Sequence, residues 1–147
     1  MKDFMINALA EAKKALKENE VPVGAVIVCG EKIISRGYNK REKSQNALCH
    51  AEIIAIEKAC KKLGSWRLDG CEIYVTLEPC PMCAGAIANA RIKKLVYGAL
   101  DKTSDDDLCN KILSSNRLNH KTIVEYKENE LCSKLLTDFF KEKRKNN

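Results

Sequence analysis

Apolar positions recur along this chain with two different periods, and the switching between them predicts its architecture. Met5, Ala8, Leu9, Ala12, Ala15 and Leu16 fall three and four residues apart, the stripe of an amphipathic helix. After Pro22 the run Val23 to Val28 is continuous and β-branched. Gly30-Glu31 then turns the chain into Lys32 to Tyr38, so two strands joined as a hairpin are expected. Helical spacing returns at Ile53, Ile54, Ile56, Ala59, Cys60 and Leu63, placing a helix over His50 to Lys62 that Gly64-Ser65 ends. Cys71 to Thr76 reads as a third strand, Pro81 to Ala90 as an alanine-rich buried helix opened by proline, and Lys94 to Ala99 as a fourth strand. Asp105 to Leu113 reads as a helix opened by acids, Lys121 to Tyr126 as a fifth strand, and Asn129 to Lys143 as a closing helix.

The order αββαβαβαβα predicts an α/β fold, a three-layer α/β/α sandwich around a mixed five-stranded sheet. The sheet is expected to be antiparallel at its first hairpin and parallel where helices cross over. No repeat, low-complexity stretch or Pro, Gly or Ser linker divides the 147 residues. One domain over residues 1–142 is expected, followed by a frayed basic tail, residues 143–147. With 45% hydrophobic and 31% charged residues the chain has the composition of a protein that buries a core. No apolar run approaches the roughly 20 residues that cross a bilayer. Met1 to Lys17 interrupts its apolar positions with lysines and acids and does not read as a signal peptide, so a cytoplasmic protein with no membrane partner is expected.

Formal net charge is +6, and half of it lies between Lys141 and Lys145, with smaller basic groups at Lys40, Arg41 and Lys43 and at Arg91, Lys93 and Lys94. Such an excess favours a polyanionic partner, though lysines that only keep a surface soluble carry the same charge. Eight cysteines in a chain without an export signal read as free thiols rather than disulfides. Cys29, Cys60, Cys71 and Cys132 sit within or beside apolar patterns, where a small thiol fills core space, and Cys49 is expected to be buried as well.

Cys80 and Cys83 differ. Three residues apart at the start of a helix, they project to nearly the same side, where the positive helix end favours the thiolate that binds metal. His50, at the start of another helix, completes three protein ligands for zinc. Three rather than four leave a position for water, which zinc acidifies to a pKa of about 7. Glu52, a carboxylate beside the metal but not bound to it, is placed to take a proton from that water and return it to the leaving group. Singly, each residue has a plainer reading: a redox or packing pair, a buried imidazole, an acid that complements a helix dipole. A redox dithiol leaves His50 and Glu52 without a purpose.

The motifs His50-Ala51-Glu52 and Pro79-Cys80-Pro81-Met82-Cys83 match the H-x-E…P-C-x-x-C signature of zinc-dependent nucleobase deaminases. With Glu20-Val21-Pro22-Val23-Gly24-Ala25-Val26-Ile27-Val28, Val75-Thr76-Leu77-Glu78-Pro79-Cys80, Met82-Cys83-Ala84-Gly85-Ala86 and Leu118-Asn119-His120, the chain resembles the bacterial tRNA-specific adenosine deaminases over almost its whole length. The resemblance implies a cytidine-deaminase-like fold, one Zn2+ held by His50, Cys80 and Cys83, and Glu52 as the proton shuttle. It further implies that Asn39 helps to hold the target nucleotide, that the chain works as a homodimer, and that it converts the wobble adenosine of a tRNA anticodon loop to inosine and ammonia. From spacing alone Asn39 reads equally as a turn residue at a strand end.

One segment departs from that family, whose members carry a glycine- and serine-rich stretch after the fourth strand. Here the stretch is Asp101-Lys102-Thr103-Ser104-Asp105-Asp106-Asp107. Three aspartates repel phosphate and the missing glycine keeps backbone at a distance, yet the same residues suit a helix start. The alternative reading is therefore a deaminase of a free nucleobase or nucleoside such as guanine or cytosine. A noncatalytic RNA-binding subunit with structural zinc is a third reading, against which Glu52 argues, because a structural site has no use for an acid.

Overall fold

The computed structural model describes residues 2–103 and 107–145. Helix α1 (Met5–Lys17) precedes the hairpin of β1 (Gly24–Cys29) and β2 (Lys32–Tyr38). The chain continues through α2 (Arg41–Ser44), α3 (Ala51–Leu63), β3 (Cys71–Val75), α4 (Pro81–Asn89), β4 (Lys94–Tyr97), α5 (Leu108–Leu113), β5 (Ile123–Tyr126) and α6 (Glu130–Lys145). Among the described residues no helix is long and apolar enough to cross a membrane.

The five strands form one sheet in the order β2-β1-β3-β4-β5. Strand β1 runs antiparallel to both neighbours, with Ala25 opposite Gly37 on β2 and Val75 on β3, while β3, β4 and β5 pair in parallel. All strands but β1 therefore point the same way, and the helices that follow them leave the same end of the sheet. Gly24 to Val28 are buried on both faces of β1, which explains a continuous apolar run in a strand with antiparallel partners.

Helices α1 and α6 cover one face of the sheet, and α3, α4 and α5 the other. Two glycines set how closely they approach. A Cβ at Gly24 would stand 2.1 Å from the Ala8 carbonyl oxygen of α1, and one at Gly37 would stand 2.5 Å from the Ala51 carbonyl oxygen of α3. Backbone thus rests on backbone at these points, and Ile27, Ile73, Val75, Ile87 and Leu95 fill the layer between the sheet and its helices with no exposed surface. Each such side chain contributes roughly 1.5–3 kcal/mol relative to exposure.

The expected elements and their alternation are present, with local differences. Helix α2 is new: four polar residues carry no apolar stripe to announce it. Helix α5 begins at Leu108 rather than in the acidic run, and Asp107, at its N-cap, takes a left-handed φ of 65° and makes no side-chain cap. Asp105 and Asp106, with Ser104, lie outside the described residues. Helix α6 continues through Lys145, two residues past the expected Lys143.

Candidate active site and metal centre

Helices α3 and α4 start at the carboxyl ends of β2 and β3, on the same face of the sheet. His50 is the N-cap of α3 and Cys80 the N-cap of α4, both with extended backbone. Pro81 takes the first helical position, where a missing amide hydrogen leaves no bond unmade. An N-cap side chain ordinarily accepts one of the free helix amides, but neither His50 nor Cys80 does so. For α3 that task falls to Asn39, just beyond β2. Its Oδ1 accepts the Ala51 amide at 2.8 Å while its Nδ2 donates to the Val21 carbonyl at 3.1 Å. The imidazole of His50 is left free for other chemistry.

His50 Nδ1 lies 3.7 Å from Cys80 Sγ and 3.6 Å from Cys83 Sγ, and the three donor atoms all lie within 4.8 Å of one another. Tetrahedral zinc, with sulfur at about 2.3 Å and nitrogen at about 2.0–2.1 Å, requires a sulfur-to-nitrogen separation of about 3.6 Å. Donor chemistry and spacing both fit zinc, bound through Nδ1. The hydrogen bond from the Cys83 thiol lowers the Cys80 thiol to about 4, and bonds from His50 and the Cys83 amide act in the same direction. Cys83, which gives that bond and is more deeply buried, is pushed upward and keeps its proton. His50 is raised by its hydrogen bond to Cys80. A divalent cation that binds here displaces the proton that Cys83 keeps.

Glu52 is 4% exposed, and burial pushes its carboxyl up to about 7, against the opposing pull of the His50 charge. The Cys83 thiol acts with His50 against that rise. A carboxyl poised at neutrality can both take and give a proton at the working pH.

These groups open into a cavity of about 200 Å³ whose wall includes Asn39, His50, Glu52 and Cys80. That is below the roughly 300–1,000 Å³ of drug-sized pockets, so it admits a single heterocycle and leaves the rest of a larger substrate outside. The structure thus brings together at one cavity every residue singled out by the sequence, Asn39 included, with Cys83 directly behind the wall. Cys71, Cys109 and Cys132 are buried in the core, and Cys29 and Cys60 partly so. Cys49 is half-exposed rather than buried, because the loop that carries it, Arg41 to Leu48, is exposed throughout. His120 bonds the Ile92 carbonyl at 2.8 Å and does not line the cavity.

Sequence reading missed several wall residues: Glu20, Arg41, Glu78, Asp101, Phe139 and Lys143. Glu20 and Glu78 carry one local signal, an acid set against apolar strand residues. Phe139 and Lys143 carry none, since a residue on the last helix reveals nothing of the first-half loops it meets.

The chain matches the MafB19-like deaminase family over residues 1–144. It is 46% identical over 144 residues to the tRNA-specific adenosine deaminase of Bacillus subtilis (strain 168), covering 97% of this chain and 89% of that protein. A structure from biochemical and structural studies of A-to-I editing by tRNA:A34 deaminases superposes with a TM-score of 0.82 at 39% identity, covering 92% of this chain and 97% of the other. A guanine deaminase structure from Bacillus subtilis superposes with a TM-score of 0.67 at 34% identity, covering 98% and 95%.

Proposed function

The chain belongs to the MafB19-like deaminase family, and from that premise we propose that it is a zinc-dependent hydrolase acting on the wobble adenosine of a tRNA anticodon loop. Water replaces the 6-amino group, leaving inosine and releasing ammonia. The observation that carries this reading is the spacing of His50 Nδ1, Cys80 Sγ and Cys83 Sγ at zinc-ligand distances, with the buried acid Glu52 against them. Zinc held by these three residues supplies Lewis-acid activation of water.

The chain's own groups do the rest. Glu52, near neutrality by burial, accepts one proton from the attacking water and gives it to ring N1, then carries the second, released as the new C6 hydroxyl becomes the carbonyl, to the departing amine. Asn39 lines the cavity with two of its hydrogen-bonding positions already used by Val21 and Ala51. Held rigidly, it turns one remaining N–H and one lone pair toward the nucleotide. A base in an anticodon loop is unpaired or easily splayed, so inserting it into a one-base cavity costs little unstacking. The working form is a homodimer in the cytoplasm, with one zinc per chain. The similarity to tRNA-specific adenosine deaminases supports the RNA substrate, and that to a guanine deaminase motivates the control.

The test incubates the zinc-loaded protein with an anticodon stem-loop carrying adenosine at the wobble position, and separately with free guanine, adenine and cytosine, reading ammonia. Release from the stem-loop alone is expected. An inert stem-loop beside a consumed free base would overturn the assignment.

A further inference from the structure

Helix α2 forms the rim of the cavity between β2 and α3, yet none of its four residues is buried. An element with no apolar face is not held by packing, so polar contacts must hold it. Glu20 supplies them. Its side chain is 2% exposed, and its two carboxylate oxygens accept the Glu42 amide at 3.1 Å and the Lys43 amide at 2.7 Å. Both acceptors of one buried carboxylate are thus used by consecutive backbone amides of a surface turn, in charge-assisted, partly buried bonds.

Glu20 is itself fixed. Asn19 turns the chain with a φ of 60°, and the Glu20 amide bonds the Ala15 carbonyl at the end of α1 at 3.0 Å. A second tether, the ion pair of Lys43 Nζ with Glu18 at 2.9 Å, is weaker because its lysine is 60% exposed and screened by solvent. The anchoring falls chiefly to Glu20.

Helix α2 carries Arg41 to the cavity wall. The wall also holds the carboxylates of Glu20, Glu42, Glu52, Glu78 and Asp101, and its described Lys and Arg residues are Arg41 and Lys143. A polynucleotide that inserts one base leaves its flanking phosphates at the mouth, where that acidic lining repels them and a cation must compensate. We propose that Glu20 is a positioning residue: bound to both α2 amides, it holds Arg41 at the cavity mouth to meet a phosphate next to the inserted base. The phosphate half of this inference rests on the RNA substrate proposed above; the anchor half does not.

Glu20→Gln keeps size and shape but turns an amino group toward one of the two amides, a donor facing a donor. Hydrogen exchange of the zinc-loaded protein is expected to show the Glu42 and Lys43 amides exchanging at least about tenfold faster in the variant, with α3, α4 and zinc content unchanged. With the stem-loop, KM is expected to rise about tenfold while kcat stays within about threefold, the signature of lost binding. Arg41→Ala, a change at an exposed side chain, is expected to raise KM similarly alone and to add little to Glu20→Gln, because both act through one contact. Unaltered exchange at the two amides, additive effects, or a fall in kcat at constant KM would overturn the proposal. So would an unchanged KM in Arg41→Ala, even if Glu20→Gln did not fold. A wild-type protein that leaves the stem-loop untouched would instead defeat the RNA reading and Arg41's phosphate role with it, while amide exchange still decides whether Glu20 holds α2.

Discussion

Glu52 sits where a carboxylate is costly to keep charged, and its chemistry follows from that placement. Replacing it with glutamine preserves volume and leaves His50, Cys80 and Cys83 in place. Glu52→Gln is therefore expected to retain zinc by elemental analysis while deamination falls by at least about 10²-fold, the range for a lost general acid–base. Loss of zinc in step with activity would make Glu52 a structural residue. The same burial has a thermodynamic sign in the metal-free protein. Its carboxyl is held at about 7 against an ordinary 4.5, so between those values the native state keeps a proton that the unfolded chain has lost. Stability contributed by this group falls as pH rises through that window, by about 3 kcal/mol. Urea unfolding of the metal-free wild type from acid to neutral pH is expected to show that loss relative to Glu52→Gln; parallel curves would contradict it. His50, Glu52, Cys80 and Cys83 were legible in the sequence because ligand chemistry forces close spacing at two helix starts. Phe139 and Lys143 were not, because both reach the cavity from the last helix, far along the chain from the residues they meet, and Glu20 and Glu78 offered only the weak signal of an acid set against apolar strand residues.

Helix placement transmits these demands from the sheet to the site. At Gly37 the sheet lies so close to α3 that a Cβ would stand 2.5 Å from the Ala51 carbonyl oxygen and 2.9 Å from the Ala55 amide nitrogen. Gly37→Ala must lift the turn that carries His50 and Glu52. It is expected to destabilise the protein by roughly 1–3 kcal/mol and to weaken zinc binding in a chelator competition. Gly85, inside α4, meets no atom within 4 Å, so Gly85→Ala should stabilise by roughly 0.5–1 kcal/mol with zinc affinity unaltered. Equal behaviour of the two variants would break the link between helix approach and metal site. At this scale the strands and long helices were readable because each buries a face with its own period. Helix α2 was not, having no apolar residue to set a period, and acids that suit a helix start do not by themselves form one: Asp107 stands outside α5 with a left-handed φ of 65°.

As a whole the molecule carries a net +6, while its cavity wall holds five acidic residues beside Arg41 and Lys143. Lys143 joins the positive excess to that wall, since α6 carries it there from what reads as a basic tail. Binding of the stem-loop is expected to weaken with salt, each phosphate contact adding about 0.7 to the log–log slope for a single strand. Lys143→Ala should lower the slope by about one contact; an unchanged slope would leave its charge unconnected with RNA. Hydrolysis at one particular adenosine is the central claim, and isotopic water reads it directly. After incubation of the stem-loop with zinc-loaded protein in ¹⁸O-labelled water, nucleoside mass spectrometry should find the wobble adenosine converted to inosine bearing the heavy oxygen, and no conversion with Glu52→Gln. Unchanged adenosine, or inosine without the label, would contradict it.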